Sequence, residues 1–176
     1  MPHLPTSRLL ELRDELRSRG QRRSTVFPSA APNVVEAVTV VEEYGALCEV
    51  MFLVMAVEKR MLNVQRELLR GALDILSNGR VRTSHMEAML DAASRRLVED
   101  GLEQRCQRVT EALRNDPVRA ETALVLAGAI AAADGKITEA EQALLDRLVK
   151  ELDVGPDRLS EILRGLTHAT SAAGKR

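Results

Sequence analysis

Tryptophan is absent, and one tyrosine and two phenylalanines are the whole aromatic complement of the 176 residues. Binding of single-stranded nucleic acid by ring stacking needs several exposed aromatics, so this scarcity argues against that class. A formal net charge of −1 adds no global attraction to DNA or to acidic lipid. Cys48 and Cys106 stand alone, without C-x-x-C spacing, and read as small apolar residues in a reducing cytosol. Residues 1–20 carry charges throughout and hold no apolar core of the kind a secretory signal requires. The longest uninterrupted apolar run, Ala123 to Ala133, is far shorter than the roughly 20 residues of a membrane span. A cytoplasmic protein with no membrane span is expected. No Gly-rich phosphate loop, no G-x-S-x-G and no H-E-x-x-H occurs, so the motif-borne enzyme classes lack support.

With so few aromatics, the core has to be built from Leu, Val, Ala and Met, which suits closely packed helices. Leu9, Leu12 and Leu16 recur at helical spacing before Gly20, giving a short first helix. Residues 21–32 mix Arg, Ser, Pro and Ala without periodicity and read as a linker, with Phe27 as its large apolar anchor. Asn33 with Glu36 forms a capping-box pattern that opens a long helix running to about Glu58. Every residue from Val50 to Val57 is apolar, so this helix should be buried nearly all round, and its exposed flank should be acidic because Asn33 to Glu58 holds no Lys or Arg. Further stripes follow at Leu68, Leu69, Ala72, Leu73 and Leu76, and then at Met86, Met89, Leu90, Ala93 and Leu97, opened by Ser84 with Glu87. Gly101 breaks or kinks the second of these. Asp116-Pro117 combines a capping acid with a proline preorganised for the first helical turn.

The most informative stretch is Ala131 to Glu141, which joins a wholly apolar helix to an amphipathic one. Gly135 supplies the positive φ of a sharp helix exit, Asp134 can bond the turn, and Thr138 with Glu141 fits a capping box. Sliding the chain by 76 residues lays Leu68, Leu69, Ala72, Leu73 and Leu76 on Leu144, Leu145, Leu148, Val149 and Leu152, and Gly79 on Gly155. Aligned turns as well as stripes point to an internal duplication. The expected architecture is all-α: a single compact helical domain of about seven to eight helices, preceded by the short helix and linker. Residues 1–32 form the N-terminal helix and linker, 33–166 the domain with repeats over 46–97 and 123–166, and 167–176 a disordered tail.

An apolar helix, A-x-A-D-G-x-I-x-x-x-E, an L-L-x-x-L-V stripe and a Gly-Pro start to a short helix together resemble the tellurite-resistance TerB family and the related N-terminal domain of the DjlA co-chaperones. The resemblance is good from about Ala123 to Leu163, weaker from about Ala46 to Leu97, and leaves residues 1–32 outside. It implies an internally duplicated helical domain without settled enzymatic activity, linked to stress responses, membrane-associated complexes or divalent cations. Carried across, the family's acidic joint falls on Asp134, Gly135 and Glu141. The first repeat departs from the pattern, with Glu58, Lys59 and Gln65 in those places, which removes a symmetric pair of cation sites.

Two functional readings follow. In the first, the chain is a non-enzymatic interaction or scaffold module in tellurite, stress-response or envelope-associated assemblies, docking a basic protein partner through Glu42, Glu43 and Glu49. In the second, it is a regulator that holds a divalent cation (Ca, Mg, Mn or Zn) through Asp134, Glu141 and Glu58. An EF-hand is not built here, because its first and third ligand positions would be Ile130 and Ala132. His85 and Met89, with Met51, Met55, Met61 and Met86 as neighbours, could suggest soft-metal chemistry, but methionines at helical spacing ordinarily fill cores. Arg13, Arg17, Arg19, Arg22 and Arg23 are either a solvated face with its linker or a contact for an acidic partner. Nucleic acid is not an expected partner, peripheral association with a membrane complex stays open, and so does the oligomeric state.

Overall fold

Two helices that are apolar nearly all round lie against each other at the centre, and the amphipathic helices cover them. The computed structural model describes residues 6–19, 32–58 and 62–173, and among these every regular element is a helix. They are α1 (Thr6–Arg19), α2 (Pro32–Val57), α3 (Asn63–Ser77), α4 (Thr83–Leu113), α5 (Pro117–Ala131), α6 (Glu139–Glu151) and α7 (Pro156–Ala173). The all-α single domain expected from the pattern is the one observed. The linker with Phe27, together with His3, Lys59 and Met61, lies outside the described residues.

The central pair is α2 and α5. Val50 to Met55 are buried without exception, and so are Ala123 to Ala131. A helix buried on all sides has no polar face to offer water, so such segments need cover all round. α4 supplies most of it to α2, while α3, α6 and α7 pack on α5. Tyr44 sits in this interior and donates its hydroxyl to the Leu76 carbonyl at 3.3 Å, which satisfies the polar tip of a buried ring. α5 starts where Asp-Pro signals a start: Asp116 accepts from the Val118 and Arg119 amides at 3.0 and 3.3 Å.

Several boundaries differ from the sequence expectation. α2 opens at Pro32, so Asn33 lies inside the first turn and not before it. α3 is preceded by Leu62 as its N-cap, so Asn63 is already helical, and the Gln65 side chain takes the Leu62 amide at 3.2 Å. In α4 the corresponding role falls to His85, whose Nδ1 accepts the Arg82 amide at 3.3 Å in place of a Ser84 and Glu87 box. α4 carries the stripe from Met86 to Leu97, runs on to Leu113, and bends at Gly101, with φ 79 and ψ 163. α7 continues to Ala173, although the small and polar residues after Thr167 suggest fraying.

The caps of α3 and α6 correspond at the same 76-residue offset. Leu62 and Thr138 are the N-caps of α3 and α6, and the third residues of those helices, Gln65 and Glu141, are separated by the 76-residue offset and touch. After these helices the correspondence ends. The offset carries Thr83 onto Leu159, yet α7 already opens at Pro156.

Candidate functional site at the acidic joint and the exposed face of α2

The joint between α5 and α6 is a chain of short-range bonds. The Gly135 amide reaches the Ala132 carbonyl at 3.0 Å with Gly135 at φ 87, a conformation that glycine adopts without steric cost. Asp134 Oδ1 accepts the Lys136 amide at 3.1 Å, which closes the turn. The capping box is complete: the Thr138 hydroxyl accepts the Glu141 amide at 3.2 Å, and Glu141 Oε2 accepts the Thr138 amide at 3.0 Å.

Longer-range partners then arrive. Thr138 donates its hydroxyl to Glu58 Oε1 at 2.5 Å, which ties the end of α2 to the start of α6. The same hydroxyl oxygen lies 3.3 Å from Glu141 Oε2, and one hydroxyl hydrogen serves one acceptor. On the inner side, Gln65 Nε2 donates to Glu141 Oε1 and to the Ile130 carbonyl, both at 3.4 Å. Gln65 and Glu141 are each 4% exposed, so a buried amide answers a buried carboxylate. Glu58 and Asp134 stand exposed at the rim. Among the described residues no group of three or more His, Cys, Asp or Glu side chains converges on one point with the geometry of a metal site.

Burial raises the Glu141 carboxyl above its ordinary range, and the fields of Asp134 and Glu58 add to this against the two Thr138 bonds. The sign for stability follows directly. A carboxyl that holds its proton more tightly when folded contributes stability that is complete below the ordinary Glu value of about 4.3 and is lost as pH rises through the folded value. Glu141→Gln stays neutral, so the wild-type melting temperature is expected to fall relative to that of the variant between acidic and neutral pH. Thermal melts of both proteins across this range check it, and a constant offset would sink the assignment.

The three glutamates expected to dock a basic partner have separate fates. Glu42 is exposed. Glu43 pairs with Arg80 at 2.9 Å, and its carbonyl accepts from Arg119 at 2.8 Å. Glu49 is the correction: it is 5% exposed and belongs to the interior, where Arg105 and Arg96 reach its two oxygens at 2.7 and 2.8 Å. Arg105 also pairs with Asp100, and Asp100 with Arg108, at 3.0 and 3.2 Å. The cations that answer much of the acidity of α2 therefore come from the same chain, across the kink of α4. Val38, Val41 and Glu42 stand outward on one turn of one face of α2, with the valines 50% and 43% exposed, and Glu36 is exposed nearer the start of the helix, 3.9 Å from Arg82. Gly45 continues that face without a side chain, leaving it flat.

The remaining candidates are structural. Met51, Met55, Met86 and Met89 are buried among apolar residues, which is the ordinary use of methionine. Burial pushes the Cys48 and Cys106 thiols up to about 12 and about 11, so neither is a thiolate near neutrality. An open cleft of about 540 Å³ lies at the turn between α3 and α4, beside Arg70, Asp74, Arg82 and Met86. No described helix is long and apolar enough to cross a membrane. Compared with protein-family models, curated proteins and solved structures, the chain matches none of them.

Proposed function

We propose that this chain is a non-enzymatic helical interaction module of the TerB-like type, serving as a scaffold in stress-linked or envelope-associated assemblies. The observation that carries the reading is the Val38, Val41 and Glu42 face. The described large apolar residues left exposed are Leu10, Val38, Val41 and Val98, and of these only the two α2 valines share a helical turn. Adjacent exposed valines on an otherwise well-buried helix lose nothing by meeting a partner and gain burial when they do. Glu42 beside them favours a partner with an apolar ridge and one basic group, a narrower recognition than the acidic stripe anticipated from sequence. A photo-crosslinking residue at Val38 or Val41 is expected to give one discrete adduct in cells, lost on Glu42→Lys with an unchanged melting transition. Adducts arising equally from exposed Gln104, or from neither valine position, would overturn this face.

A second reading rests on the single Thr138 hydroxyl placed between Glu58 and Glu141, with Asp134 nearby. Two carboxylates sharing one donor hydrogen are relieved by a proton or by a cation. In the cation-regulator reading, the pH-dependent melts repeated with Ca, Mg, Mn or Zn show a stabilisation that Asp134→Asn with Glu141→Gln removes. Melts unmoved by any of the four leave the joint to protons alone.

A further inference from the structure

We propose that the cleft at the turn between α3 and α4 binds a small zwitterion with an apolar body, of the free amino acid class. Its volume of about 540 Å³ falls within the range of pockets that hold small molecules. The floor is apolar, made by Leu73, Val81 and Met86, each at most 9% exposed. Gly71 and Gly79 line it without side chains. Gly71 stands in the interior of α3, where glycine is a poor helix former, and a side chain there would take up space that the cleft now offers.

Three charged groups border this floor, and none of them is needed to hold the fold. Arg70 is bonded to Glu67, one turn earlier on the same helix, with both side chains more than half exposed. Arg82 is 69% exposed and stands 3.9 Å from its counter-charge, Glu36. Exposed pairs of this kind contribute little, so either guanidinium is free to turn to an anion in the cleft. Asp74 then selects the anion. Its carboxylate has no partner among the described residues, and Oδ1 lies 3.9 Å from where a β-carbon on Gly79 would stand. A fixed negative charge there opposes a doubly charged phosphate and favours a ligand that brings an ammonium together with a single carboxylate. Arg70 and Asp74 are neighbours one turn apart on α3, so the two charges of one amino acid meet groups on adjacent turns. The ligand carboxylate takes the planar forks of Arg70 and Arg82, its ammonium takes Asp74, and its apolar side chain lies on Met86 and the floor. The cleft shares no residue with the α2 valine face and does not rest on it.

The test titrates L-leucine and L-methionine into the full chain by calorimetry, and each is expected to saturate a single site. Arg70→Gln with Arg82→Gln should weaken both at least about tenfold, because a charge-assisted bond is lost at each arginine. Asp74→Asn should weaken leucine by about tenfold and leave unchanged the weaker binding of N-acetyl-leucine, which has no ammonium. Gly71→Met fills the cleft and should abolish binding with the cooperative melt retained. Arg70, Arg82 and Asp74 are exposed, so their variants keep the fold whatever Gly71→Met does. No saturable heat with either amino acid overturns the proposal, and so does unchanged affinity in the double arginine variant. N-acetyl-leucine bound as tightly as leucine would take Asp74 out of the site, make a peptide C-terminus the ligand and overturn the zwitterion. Inorganic phosphate bound more tightly than either amino acid would overturn it as well.

Discussion

Glu49→Ala is expected to reduce the unfolding free energy by about 3–5 kcal/mol and the melting temperature by roughly 10 °C. The substitution removes the one carboxylate that Arg96 and Arg105 share, and it does so in the interior, where the Arg105 side chain is 9% exposed. Deleting one member of a buried ion pair leaves the other charge desolvated, which costs far more than the pair itself contributes. Arg96, with its side chain 38% exposed, can turn to water, so the loss falls mainly on the buried Arg105, which keeps only Asp100. Glu49→Gln keeps an acceptor without the charge and should fall between wild type and alanine. Glu42→Ala, on the exposed face, should stay within about 0.5 kcal/mol of wild type. Urea unfolding of the three variants separates these cases. A Glu49→Ala protein as stable as Glu42→Ala would mean that the network does not hold α4 to α2.

Gly101→Ala is expected to cost about 1–3 kcal/mol, because φ 79 with ψ 163 is a backbone region open essentially to glycine. An added Cβ at Gly101 would meet no atom within 4 Å, so the cost is conformational and not steric. The alternative open to the variant is to straighten α4, which shifts Arg96 and Arg105, on opposite sides of the bend, relative to Glu49. The two sites should therefore couple. A double-mutant cycle of Gly101→Ala with Glu49→Gln is expected to show an interaction energy of about 0.5–3 kcal/mol. Strict additivity would show the bend and the ion network to be independent.

Much of the fold was legible because its signals are local. Gly135, Thr138 and Glu141 lie within one turn of chain, and the bonds that define their joint join neighbours in sequence. The same holds for Asp116-Pro117 and for the leucine stripes of α3 and α6, whose period alone shows which side faces inward. The N-caps of α3 and α4 were misplaced for an equally local reason. Gln65 and His85 each fold back on an amide three residues earlier, and neither Leu62 nor Arg82 looks like a cap.

The site was harder to read. Five glutamates without a Lys or Arg between Asn33 and Glu58 look like an acidic docking stripe, but the counter-charges of Glu43 and Glu49 lie 37 to 56 residues away, at Arg80, Arg96 and Arg105. Gln65 was visible as the counterpart of Glu141 through the 76-residue offset, yet only packing shows that the two side chains meet. Val38 and Val41 belong to a long apolar pattern in which nothing distinguishes exposed valines from buried ones.

The sequence by itself determined that this protein is all-helical, where its sharpest joint lies, and how two similar helical stripes repeat. Helix period, caps and glycine turns are properties of a few consecutive residues. Only the tertiary structure decided that Glu49 is interior and Glu42 is not, and that one threonine hydroxyl stands between two carboxylates. Burial and charge pairing are set by which helices meet, and residues far apart in the chain meet only once the core has formed.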